Sequence, residues 1–172
     1  MKKNKIYTFE LASREDTITG MIIDYSQEWV FIKYIPVDFV VDGFMFIRKK
    51  FIIDFWRENR EKFKENVIMK KLQELEFTNV FDMSSVNSLF NSLVKSKIIF
   101  DIEFEDDETC YMGQLHSLGS NIMSMKMLHI DGQLQEEQLF DINDVYTVQF
   151  NNDYINTLVS YGRIKYPSQY DW

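Results

Sequence analysis

Two stretches of the chain alternate apolar and polar residues with a period of two, and they do so in step. The first begins with residues 5–20 (KIYTFELASREDTITG) and the second with residues 97–113 (KIIFDIEFEDDETCYMG). Each reads as an apolar strand, an acidic turn, a threonine and a glycine. At an offset of 93 residues, Tyr7, Phe9 and Leu11 fall on Phe100, Ile102 and Phe104, and both sets share one strand face. A slip of one residue would exchange the two faces, so the agreement carries information. The other face of the second copy carries Asp101, Glu103 and Glu105, the pattern of a half-solvated antiparallel strand.

The match runs on. MIIDYSQEWVFIKYI follows Gly20 and QLHSLGSNIMSMKML follows Gly113, and both read strand, polar turn, strand. Lys33 falls opposite Lys126. Asp42-Gly43 and Asp131-Gly132 lie between apolar runs as hairpin signals, although the first copy has a four-residue longer approach. Phe46-Ile47 then matches Leu139-Phe140, Ile52 matches Val145, and Phe55 stands opposite Val148. Each copy supplies about five short strands. Five strands that curl round on themselves leave few open edges, so a small barrel is expected for each.

Between the copies the period changes. Phe63, Val67, Ile68, Leu72 and Leu75 recur at helical spacing, with Glu58, Lys62, Lys64 and Glu65 on the other faces. A second helix is expected from about Ser84, with Asp82, Ser84 and Ser85 as candidate caps and Val86, Leu89, Phe90, Leu93 and Val94 as its apolar stripe. A third is expected over 152–161, with Ile155, Leu158 and Val159 inward and Gly162 as its C-cap. The aromatic tail 166–172 is expected to dock on the body. The fold class is therefore mainly β with a few helices (β + α), an internal duplication of a five-stranded barrel joined by a pair of amphipathic helices. The expected division is a first barrel over 1–56, a helical connector over 57–96, and a second barrel with its helix and tail over 97–172.

Cys110 is the only cysteine, which leaves no internal disulfide. The basic start Met1-Lys2-Lys3-Asn4-Lys5 is followed by no apolar signal core, and no apolar run reaches bilayer length. A reduced, cytoplasmic protein with no membrane segment is expected. The net charge of −8 is unevenly spread: residues 1–56 carry 8 basic and 8 acidic side chains, 57–96 carry 7 and 6, and 97–172 carry 4 and 13. The acidic last part disfavours general nucleic-acid binding and suits a basic protein partner, while also serving solubility.

Candidate chemistry is sparse. His116 and His129 sit on neighbouring expected strands, with Asp131 near, but without the spacing of a zinc motif, so no metal site is assigned. Cys110 has no basic neighbour to lower its pKa and reads as a structural thiol. No GxSxG, GxGxxG or phosphate-binding loop is present. The run around Asp101, Glu103, Glu105, Asp106, Asp107 and Glu108 lacks the glycine and spacing of a calcium loop and reads as an acidic hairpin tip and a candidate partner surface. Arg48, Lys49 and Lys50 form the one basic cluster within a barrel, a candidate patch together with Lys2, Lys3 and Lys5. Tyr25, Trp29 and Phe44 would supply stacking if the patch met RNA. The simpler account is a charged edge strand, with Trp29, Phe44 and Phe55 as core or helix contacts. No catalytic residue and no cofactor are assigned.

The two alternating arrays, the Asp42-Gly43 and Asp131-Gly132 hairpins and the short strands ending at Ile52 and Val145 resemble Sm-like and SH3-like small barrels. Nearly the whole chain resembles a family of uncharacterised bacterial proteins with two such barrels. Gly113, residues 129–132, and the run 144–150 followed by Tyr154 carry that likeness. The resemblance implies a fold and no activity. RNA-binding Sm proteins place a glycine after the basic residue of their second motif; here Lys49 follows Arg48, and Asp141 stands in the second copy. The function expected is a non-enzymatic binding or adaptor protein contacting another protein. The alternatives are an immunity-like inhibitor of a basic toxin enzyme and an RNA-binding module using the first barrel.

Overall fold

The computed structural model describes residues 1–71, 80–105 and 109–171. The first five strands are β1 (Ile6–Leu11), β2 (Ile18–Tyr25), β3 (Trp29–Tyr34), β4 (Phe44–Arg48) and β5 (Ile52–Trp56). Helices α1 (Asn59–Lys71) and α2 (Val86–Ser96) follow. The second set is β6 (Ile99–Glu103), β7 (Cys110–Leu118), β8 (Ile122–Leu128), β9 (Leu134–Asp141) and β10 (Thr147–Phe150), and α3 (Asp153–Lys165) comes last. No helix among the described residues is long and apolar enough to cross a membrane.

The strands form one antiparallel sheet in the order β5-β1-β2-β3-β4-β10-β6-β7-β8-β9. The two sets of five have the same internal order, and their registers correspond at an offset of 93 residues. Tyr7 faces Gly20 as Phe100 faces Gly113. Phe9 faces Phe55 as Ile102 faces Val148. Trp29 faces Arg48 as Ile122 faces Asp141. The bulge in β2 falls at Ile23 and the bulge in β7 at His116, again 93 residues apart. Gly20 and Gly113 allow the same close approach. A Cβ on either would lie 2.8 Å from Lys33 O or 2.2 Å from Lys126 O, closer than carbon and oxygen can stand.

The expectation of two closed barrels is corrected. Closing the first set would require β4 to pair with β5. Instead the outer edge of β4 is taken by β10, with Phe44, Phe46 and Ile47 opposite Phe150, Val148 and Thr147, and the sheet stays open. The physical reason is the apolar surface at this junction. Trp29, Phe31, Phe44 and Phe46 from the first set join Phe100, Ile102, Val148 and Phe150 from the second in a single core. Phe31 and Phe46 stack there with ring centres 4.3 Å apart. A second core, on Phe9, Leu11, Ile22, Val30, Ile32, Met45 and Ile47, fills the curl of the first set.

Helix α2 covers the shared core with Leu89, Phe90 and Leu93, the middle of its expected stripe. Ser85 is its N-cap: the side chain accepts from Ser88 N at 3.0 Å. Helix α1 departs from expectation. Its buried residues are Glu61, Lys64, Glu65 and Ile68, whereas Phe63 is 60% exposed and meets Phe39 edge-on. Leu72 and Leu75 lie outside the described residues. The cause is the edge of β1. Beyond Trp56 that edge has no strand partner among the described residues, and there Glu65 accepts from Ile6 N at 3.1 Å and Glu61 from the Thr8 hydroxyl at 2.9 Å.

Helix α3 also runs past its expected end. Gly162 lies inside it, buried against the β8–β9 bend, where a Cβ would stand 2.3 Å from Gly132 O. Glycine is required there by contact and not by a cap. The tail docks as expected: Tyr170 donates to Gly132 O at 2.6 Å, and Gln169 accepts from Leu134 N at 2.9 Å.

Candidate protein-interaction edges

An open sheet has two end strands, each with a row of main-chain groups facing outward. Here they are β5 and β9. Strand β5 is exposed over Ile53, Asp54 and Phe55, and a shallow groove of about 310 Å³ runs beside it, lined by Met1, Lys49, Ile52, Ile53, Asp54 and Phe55. Strand β9 is exposed from Gln135 to Leu139. Phe55 is 43% and Leu139 69% exposed. The internal junction explains why these two stand out. Val148 and Phe46, their counterparts 93 residues away, face each other across β10 and β4 and are fully buried.

The basic cluster is not a single patch. Arg48 is buried, with its guanidinium 5.2 Å from the centre of the Trp29 ring and Nη2 3.3 Å from Glu28. Burial lowers its pKa, against the opposing pull of Glu28, and its Nε and Nη1 atoms have no hydrogen-bond partner. Lys49 donates to Ser26 O and lies over Tyr25, while Lys50 donates to Asn143 O in the other half. Lys3 and Lys5 are paired with Asp24 and Glu65. Trp29 and Phe44 are core residues, as the simpler account expected, whereas Phe55 is not.

The acidic cluster is divided as well. Glu105 is exposed, and Asp106, Asp107 and Glu108 lie outside the described residues. Asp101 and Glu103 do not form the solvated face that alternation suggested. Glu103 accepts from Arg14 Nη1 at 2.8 Å and from the Thr147 hydroxyl at 2.6 Å, and the Arg14 guanidinium also bonds Phe104 O. Asp101 is buried beside them with Oδ1 unpartnered. Its pKa is pushed well up, by burial first and then by Glu103, against hydrogen bonds from Asn152 and Gln149 N. The bend after β1, which carries Arg14, covers this part of β6, a long-range contact that strand periodicity does not encode.

His116 stands 3.5 Å from Glu137 and His129 3.1 Å from Glu136, as separate pairs. Among the described residues no three His, Cys, Asp or Glu side chains gather into a group that would hold a metal ion. Cys110 is exposed at the start of β7; local desolvation, then Asp101 and Glu103, raise its pKa, so little thiolate forms at neutral pH. A polar cavity of about 400 Å³ opens between α1 and the sheet, with Thr8, Thr19, Tyr34, Trp56, Glu61 and Lys64 among its lining. Sequence reasoning missed the edges because an end strand and a central strand share one alternation. The signal available was Phe46 against Leu139 and Val148 against Phe55, matched positions that look equally apolar until the strand order is known. Comparisons of the chain with protein-family models, curated proteins and solved structures return no match.

Proposed function

We propose that this protein is a non-enzymatic adaptor that binds another protein chain through the free edges of its sheet. The carrying observation is that Phe55 and Leu139 are exposed on β5 and β9 where their counterparts Val148 and Phe46 are buried by strand pairing. An exposed edge with apolar side chains recruits an extended segment through main-chain hydrogen bonds, and the side chains on one face supply selectivity. The underlying architecture in this reading is a tandem duplication of an Sm-like or SH3-like five-stranded unit with a trailing helix. The first unit spans 1–56, the connector 57–96 and the second unit 97–172. The 93-residue agreement of register and bulge supports the duplication. The excess of 13 acidic over 4 basic side chains in 97–172 favours a basic partner, and the single cysteine suits a reduced cytoplasmic setting.

The test is capture from the native cell lysate with the tagged chain, wild type beside Leu139→Lys, at low and moderate salt. A stoichiometric protein retained by wild type and lost with the variant is the expected result. Capture of no protein, or equal capture by both, overturns the reading.

A further inference from the structure

We propose that the polar cavity between α1 and the sheet binds a small zwitterion, its carboxylate on Lys64 and its ammonium towards Glu58 and Asp38.

The two halves of the molecule differ at this place. Thr19, Ile35, Glu61 and Lys64 are among the residues lining the cavity of about 400 Å³. Their counterparts in the second half, at 93 residues on the sheet side and 94 on the helix, are Met112, Leu128, Ile155 and Leu158. Those four pack with Ile99, Leu134 and Tyr170 in one apolar cluster. The fold can therefore close this space with apolar side chains, and nothing in it demands a buried lysine. A buried charge where an apolar side chain would fit commonly lowers stability, so its presence calls for another reason.

Lys64 is 7% exposed, yet it has no hydrogen-bond or ion-pair partner among the described residues. The acids beside it on the helix are already engaged. Glu61 accepts from the Thr8 hydroxyl at 2.9 Å and from Glu58 N at 2.8 Å, and Glu65 is paired with Lys5 and Arg57. A ligand carboxylate would give the Lys64 amine the counter-charge it lacks, through a charge-assisted hydrogen bond.

The rest of the lining disfavours a simple or multiply charged anion. Glu58 and Asp38 line the same cavity, are exposed, and have no side-chain partner among the described residues. Against these two and Glu61, Arg60 is the one further cation of the lining. Thr8 gives its single hydroxyl proton to Glu61, so Thr19 donates in the 3.1 Å contact between the two hydroxyls and keeps an acceptor lone pair. One buried cation is thus accompanied by acids and acceptors, the complement of a molecule with one carboxylate and one ammonium. The cavity also has the size of a small-ligand site.

Calorimetric titration of the full chain with the common amino acids, and with β-alanine, γ-aminobutyrate and ε-aminocaproate, each to about 10 mM, tests the proposal. At least one of these zwitterions is expected to bind saturably. Its methyl ester, which lacks the carboxylate, and its N-acetyl form, which lacks the ammonium, are each expected to bind at least tenfold more weakly. Lys64→Leu places the second half's residue type here. It is expected to weaken binding at least tenfold while the urea midpoint stays or rises. Lys64→Gln is the second variant should the leucine disturb the helix. Glu58→Gln, at an exposed position, is expected to give a smaller loss of affinity with an unchanged midpoint. Binding by none of the zwitterions, or equal binding of the N-acetyl form, overturns the proposal. So does acetate or inorganic phosphate binding as tightly as the best zwitterion, which would make this an anion site. Lys64 variants that lose stability but bind like wild type would give the lysine a structural role alone, and overturn it as well.

Discussion

Helices α1 and α3 follow the fifth strand of their own half, yet they cover the sheet by different chemistry. The buried positions 61, 64, 65 and 68 of α1 correspond, at 94 residues, to 155, 158, 159 and 162 of α3, which are buried or half-buried. In α3 these are Ile155, Leu158, Val159 and Gly162, packed with Ile99, Leu128, Leu134 and Tyr170. In α1 they are Glu61, Lys64, Glu65 and Ile68, and two carboxylates bond to β1. One position in a fold can thus be filled by apolar burial or by directed polar contacts. Only the second is sensitive to protonation.

The sharpest way to break the comparison between halves is at their junction. Phe46→Ala removes a fully buried ring and is expected to cost about 4 kcal/mol in urea unfolding. Leu139→Ala, its counterpart on the free edge, is expected to cost less than about 0.5 kcal/mol in dilute solution. Equal losses would show that β9 is not a free edge.

Next come the helices. Leu158→Ala is expected to cost about 3 kcal/mol at any pH at which the chain folds. Glu65→Ala leaves Ile6 N without its acceptor and Arg57 without its carboxylate, and is expected to cost about 2 kcal/mol near neutrality. Burial acts to raise the Glu65 pKa, but hydrogen bonds from Lys5, Ile6 N and Arg57 together outweigh it and hold the group below its ordinary value. Stability from a lowered carboxylate is present above the unfolded pKa and lost as pH falls through the folded one. The cost of Glu65→Ala should therefore shrink in acid, while that of Leu158→Ala should not.

Asp101 has the opposite sign. Its folded pKa is raised, so its native form favours the proton, and stability falls as pH climbs from the unfolded pKa through the folded one. Asp101→Asn is expected to stabilise the protein by about 1 kcal/mol near neutrality, the gain fading towards about pH 4. A loss at neutral pH would mean that the carboxylate is charged and compensated. A similarly small effect is expected at the tail. Tyr170→Phe removes the bond to Gly132 O and should cost about 1 kcal/mol, read as a lowered urea midpoint.

Local alternation made much of the fold legible. It identified the strand faces, the equivalence of Gly20 with Gly113 and the stripe of α2, because period and turn chemistry are properties of neighbouring residues. It failed for Asp101, Glu103 and Phe63. Whether an outward-facing residue meets water depends on what another part of the chain brings to it. Arg14 arrives over β6, and Glu61 and Glu65 of α1 turn to β1 in place of Phe63. The candidate site was less legible still, since Phe55 and Leu139 read like any other apolar strand residues.

The amino-acid sequence by itself determined two matched sets of five strands, the alternation along them, and the helix after each. Side-chain period and glycine placement set these locally. Tertiary structure alone decided that β10 would pair with β4, joining the sets in one open sheet with β5 and β9 at its ends. Any strand edge offers the same main-chain groups to any other. The choice between partners rests on the apolar surface that the pairing buries at Phe46, Val148 and Phe150.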